Sequence, residues 1–67
     1  MDYTNSQIRD LIAEHIHSER DRGILERRLI DGVTFERLAE ERELSVSQVK
    51  RIVWKGSEII FRHLKVN

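Results

Sequence analysis

The sequence predicts an all-α protein, a compact three- to four-helix domain with a C-terminal helix-turn-helix. Three observations predict it. Apolar residues recur at steps of three and four along most of the chain, the spacing of one helical face. Hydroxyl residues with a partner three positions on mark where helices start. Proline is absent, and Gly23, Gly32 and Gly56 are scattered, so nothing resembles a flexible linker.

Thr4 and Gln7 have the spacing of a capping box, and Tyr3 and Ile8 that of a hydrophobic staple. They predict a first helix over 5–17, with Ile8, Leu11, Ile12 and Ile16 on one stripe and Arg9, Asp10 and Glu14 elsewhere. His15 and His17, near Glu14 and Glu19, invite comparison with a metal site. Helical residues two apart point in different directions, however, so both are read as partly exposed histidines near a helix end, and no metal site is expected. His63 is expected near the end of the last helix, where a partly protonated imidazole suits the dipole.

Ser18 and Asp21 give a weaker cap, without a staple, to a second helix over 19–31. Ile24, Leu25, Leu29 and Ile30 are its burial set, and Arg27 and Arg28 face water. Gly32 is placed to take a left-handed conformation just past its end. Gly23 weakens the first turn, which leaves two options: separate helices, or one helix bent near Ser18.

The stretch Val33–Gly56, VTFERLAEERELSVSQVKRIVWKG, opens a final segment over 34–64. Thr34 caps one helix, with Val33 and Leu38 as staple. Ser45 and Gln48 form a capping box for the next, with Leu44 and Val49 as staple. Two starts about eleven residues apart leave room for two to three turns of helix and a tight corner. Phe35, Leu38 and Ala39 line the inner side of the first helix. In the second, Val49, Ile52, Val53, Gly56 and Ile60 cluster on one side, while Ser47, Lys50 and Arg51 project from the other. Small polar and basic side chains near the start of an anchored helix suit a major groove. The alternative is a solvated face on a plain helical hairpin. Trp54 and Phe61 form a second stripe. They either pack against the first helix or present a docking or dimer surface.

Formal net charge is zero, but its distribution is lopsided. Residues 1–45 carry seven Lys or Arg against eleven Asp or Glu; residues 46–67 carry five, Lys50, Arg51, Lys55, Arg62 and Lys65, against Glu58 alone. Such a dipolar chain approaches phosphate with one end. Sixty-seven residues make at most one small domain. The absence of cysteine excludes disulfides and thiolate metal sites. No apolar run nears the roughly twenty residues of a membrane span, and the N-terminus lacks a signal-peptide pattern, so a cytoplasmic, nucleoid-associated protein with no membrane partner is expected. No phosphate-cradling glycine loop, nucleophile or paired-acid constellation stands out, so neither catalysis nor a cofactor is expected.

From about Arg22 to Leu64 the chain resembles the fourth region of bacterial primary-type sigma factors and related small regulators. ILERRLIDG, TFERLAEE, LSVSQVKRI and the basic continuation through Lys55 carry the likeness. The resemblance implies a DNA-binding domain that reads a promoter element through its recognition helix and touches RNA polymerase. It implies base-reading slots at Val46, Ser47, Lys50 and Arg51, to which the residue pattern adds Gln48, and phosphate contacts at Thr34, Arg37 and Lys55. Family members usually have glycine where this chain has Glu43, a hydrophobic residue where it has Arg42, and often charged residues at the slots of Val46 and Ser47, so base specificity does not carry over. The expectation is a sequence-specific transcriptional regulator from a phage or another mobile element, with double-stranded DNA as partner and a homodimer or RNA polymerase contact to strengthen binding. The competing expectation is a protein-interaction module, an RNA polymerase-binding adaptor or inhibitor that does not read DNA.

Overall fold

The computed structural model describes residues 4–64, which form four helices: α1 (Asn5–His15), α2 (Glu19–Leu29), α3 (Phe35–Arg42) and α4 (Val46–His63). The architecture is all-α, as expected. The staple partner Tyr3 and the basic residue Lys65 lie outside the described residues.

Every helix starts where its hydroxyl residue places it. The Thr4 Oγ1 accepts from the Gln7 amide at 3.1 Å while the Gln7 side chain accepts from the Thr4 amide at 2.9 Å, completing a capping box. Ser45 and Gln48 repeat it with the same two distances. Ser18 and Thr34 cap α2 and α3 by accepting from Asp21 and Arg37. Helix ends differ more from expectation. The first helix stops at His15 rather than residue 17, because Ile16 is extended and its carbonyl accepts from Arg22 of α2. That corner makes α1 and α2 separate helices. The second stops at Leu29 rather than residue 31: Asp31 N–H donates to Glu26 and Val33 N–H to Arg27, closing the chain over the helix end through Gly32 at φ +71°.

Between α3 and α4 lie only Glu43, Leu44 and Ser45. Glu43 sits in the left-handed region at φ 55°, ψ 45°. The Leu44 amide donates to Ala39 at 2.9 Å and that of Glu43 to Glu40 at 3.4 Å, the paired bonds that end a helix through a left-handed residue. The helix therefore ends in a left-handed closure although the residue there is Glu43 and not glycine.

The core has two lobes. Ile24, Leu38, Ala39, Val49 and Val53 join α2, α3 and the first half of α4. Ile12, Ile16, Leu25 and Ile60 join α1, α2 and the second half of α4. Gly56 faces α2, and any side chain there would run into the Leu25 isobutyl group. Packing of Trp54 and Phe61 against α1 is overturned: they are 64% and 54% exposed. Ile59, Ile60 and Leu64 of the last helix and its cap cover α1 instead, leaving the aromatics on the far side.

Candidate nucleic-acid interface

The inner stripe of α4, Val49, Val53, Gly56 and Ile60, is buried. Its anchoring leaves Ser47, Arg51, Trp54, Glu58 and Phe61 exposed, at steps of four and three that fall within an arc of about 80° on a helical wheel. The aromatics thus share one stripe with two of the base-reading candidates, Ser47 and Arg51. Lys50, Lys55 and Arg62 flank it.

Among the described residues, Ser47, Arg51 and Lys55 make no side-chain hydrogen bond or ion pair, so all three are available to a ligand. Lys50 is half-buried, with its ammonium 5.8 Å from the centre of the Phe35 ring. The same ring carries the Arg28 guanidinium at 4.2 Å, and Arg28 donates to the Val33 carbonyl at 3.0 Å. Phe35 thereby steers Lys50 along the α3 side of α4 by attraction to the ring's electron-rich face. No local pattern announces this role, since the two cations come from α2 and α4.

The other expected site residues divide. Val46 is half-buried against the first lobe of the core, so much of its surface is occupied by packing. The Gln48 side-chain oxygen is engaged by the Ser45 amide, leaving its NH2 group for other contacts. Thr34 is exposed but its oxygen caps α3. Arg37 is exposed and lies 3.4 Å from Glu41, which also pairs with Arg27 of α2. These two arginines hold the Glu41 carboxyl below the usual carboxylate range: the Arg27 hydrogen bond contributes most and partial burial opposes it. Glu41 in turn raises the Arg27 guanidinium, mainly through the same bond.

Electrostatics favour anions at the start of α4. Its first turn contains no acid, whereas those of α2 and α3 contain Glu19, Asp21 and Glu36, so the positive end of its dipole is not offset from within. On the side of α4 facing away from α3, a groove of about 330 Å3 separates it from the α1–α2 corner, with His17, Arg20, Arg51 and Lys55 among its walls. Arg20 was not among the sequence candidates; it reaches this edge only because α2 packs across α4, and it pairs with Asp21 at 3.1 Å. His15 and His63 also meet, stacked with ring centres 3.7 Å apart and planes 2° from parallel. Rings stacked face to face do not direct their lone pairs at one ion, and among the described residues no group of three or more metal-ligating side chains occurs.

Among the described residues no helix is long and apolar enough to cross a membrane. No family model, curated protein or solved structure matches this chain.

Proposed function

We propose that this protein is a sequence-specific DNA-binding transcriptional regulator whose α3–corner–α4 pair acts as a helix-turn-helix and places the start of α4 in the major groove. One observation carries the proposal: Ser47 and Arg51 stand exposed and unpaired among the described residues, beside Lys50, on a helix anchored along its opposite face. Arg51 and Lys50 have the chemistry to donate to guanine acceptors, and Ser47 and the Gln48 NH2 to contact bases or phosphate. Val46 offers an apolar edge. Thr34, Arg37 and Lys55 take the phosphate-positioning roles. The resemblance to the fourth sigma region supports the same assignment and adds an RNA polymerase contact. The setting is cytoplasmic and nucleoid-associated, in a phage or another mobile element. One recognition helix reads only a few base pairs, so a homodimer or a second protein supplies the remaining affinity.

The test is selection of bound sequences from random duplex DNA, followed by titration of the recovered site. A motif is expected to emerge, and Lys50→Ala with Arg51→Ala is expected to weaken binding by about a hundredfold, each lost base contact contributing roughly 1–3 kcal/mol. Unchanged binding by that double variant ends the proposal.

A second reading is an RNA polymerase-binding adaptor or inhibitor. Zero net charge and the exposed acids Glu36, Glu40 and Glu43 on and after α3 favour it. Recovery of one protein partner from the native host, unaffected by nuclease, would distinguish it from the first.

A further inference from the structure

Trp54 is the most exposed large apolar side chain among the described residues, and it stands on the reading stripe itself. It lies three residues after Arg51 and four after Lys50, which places it over the same face one turn further along. From Ser47 to Trp54 the helix rises about 10.5 Å, two turns along the face that Ser47 and Arg51 open. Phe61 lies about another 10.5 Å along the axis, further from the N-terminal residues that a recognition helix turns to the bases. Glu58, the one acid on the face, sits one turn past Trp54, so the charge around the indole is set by Lys50, Arg51 and Lys55 on one side and by Glu58 on the other.

On the reading that α4 enters the groove, we infer that Trp54 belongs to the DNA interface, with its indole against the apolar surface a duplex offers there, thymine methyls and deoxyribose carbons. A second copy of the chain is a poor occupant. Laid on this stripe it would bring a face carrying Lys50, Arg51, Lys55 and Arg62 against the same face, with only Glu58 in each copy to offset four cations, and an excess of like charge across an interface is unfavourable. It would also cover Arg51. The charge of the face complements a polyanion, and the indole adds the uncharged part of the contact. Phe61 remains free to meet a protein while DNA is bound.

The experiment uses the full chain, whose single tryptophan makes its own emission a reporter of this one side chain. Labelled mixed-sequence duplex at low salt and the selected duplex are titrated by anisotropy, alongside indole emission, with sedimentation in the absence of DNA. Binding is expected to quench or blue-shift Trp54. Trp54→Ala should bind about tenfold more weakly, the equivalent of roughly 1.4 kcal/mol, with the salt slope unchanged because no charge is lost. Trp54→Phe should recover part of the loss. Because Trp54 is exposed, both variants should keep the wild-type circular dichroism. Binding with unchanged emission and an unaffected Trp54→Ala overturns the inference while leaving the groove reading in place, provided Lys50→Ala with Arg51→Ala still weakens binding. Absence of wild-type binding to either duplex overturns both. Self-association that buries Trp54 without DNA assigns the stripe to a second copy and overturns the inference.

Discussion

Glu43 is the residue at which local chemistry and the required backbone disagree. The corner needs a left-handed residue, and a side chain with Cβ costs roughly 1–2 kcal/mol there. Glu43→Gly is therefore expected to stabilise the protein, by about 1 kcal/mol after the added freedom of glycine in the unfolded chain is subtracted. A rise in Tm of several degrees checks it. Gly56 and Gly23 form the opposite pair. Alanine at Gly56 would meet the branched end of Leu25, which is itself fully buried. The expected loss is about 1–2 kcal/mol, because overpacking outweighs the gain in helix propensity. At Gly23 the neighbour is the end of the Arg42 side chain, which is free to swing aside, so Gly23→Ala should stabilise by about 0.5–1 kcal/mol. Denaturant midpoints for the two variants should shift in opposite directions. Periodicity places Gly56 on the buried stripe of α4, but the partner that forbids a side chain there, Leu25, is thirty-one residues away.

Among the elements, starts are more legible than ends, although Gly32 past α2 and the end of α4 at Leu64 stand where the sequence puts them. A cap is a contact between residues three apart, so Thr4, Ser18, Thr34 and Ser45 could be read locally. The end of α1 depends on Arg22 reaching back to Ile16 from another helix, which no local pattern records. The length of α4, by contrast, is read from its periodicity, and it lets the first half close one lobe of the core and the second half the other. Between α2 and α3 the Arg27–Glu41 pair, joined by Asp31 and Arg37, ties the helices at the surface. Because the Glu41 carboxyl is held low in the folded protein, its contribution is present above the ordinary carboxylate range and is lost as pH falls through the folded value. Glu41→Gln should flatten that part of the acid limb in a plot of stability against pH. A limb identical to wild type would show that the pair contributes nothing to folding.

Over the whole molecule, charge is kept at the surface. No polar or charged residue is buried among the described residues, and no buried side-chain polar atom lacks a partner. The core is apolar throughout, so ionic conditions act on the faces of the helices. Beside the apolar packing of α1 on the end of α4, His15 at the end of α1 stacks on His63 at the end of α4. A double-mutant cycle with His15→Ala and His63→Ala should give a coupling of about 0.5–1 kcal/mol, the size associated with stacked aromatic pairs. Strict additivity would mean that Ile12, Ile16 and Ile60 hold that junction alone.

The sequence by itself determined the helical class, the four helix starts, the corner before Ser45 and the apolar stripe that anchors α4. All of these follow from contacts between residues at most five positions apart, or from periodicity along one helix. Only the tertiary structure decided that Trp54 and Phe61 stay exposed beside Ser47 and Arg51, that Phe35 carries Lys50, and that Gly56 must lack a side chain. A helical wheel gives a residue's direction from its own axis. What stands in that direction depends on how α1, α2 and α3 pack around α4, and so on partners far away in the chain.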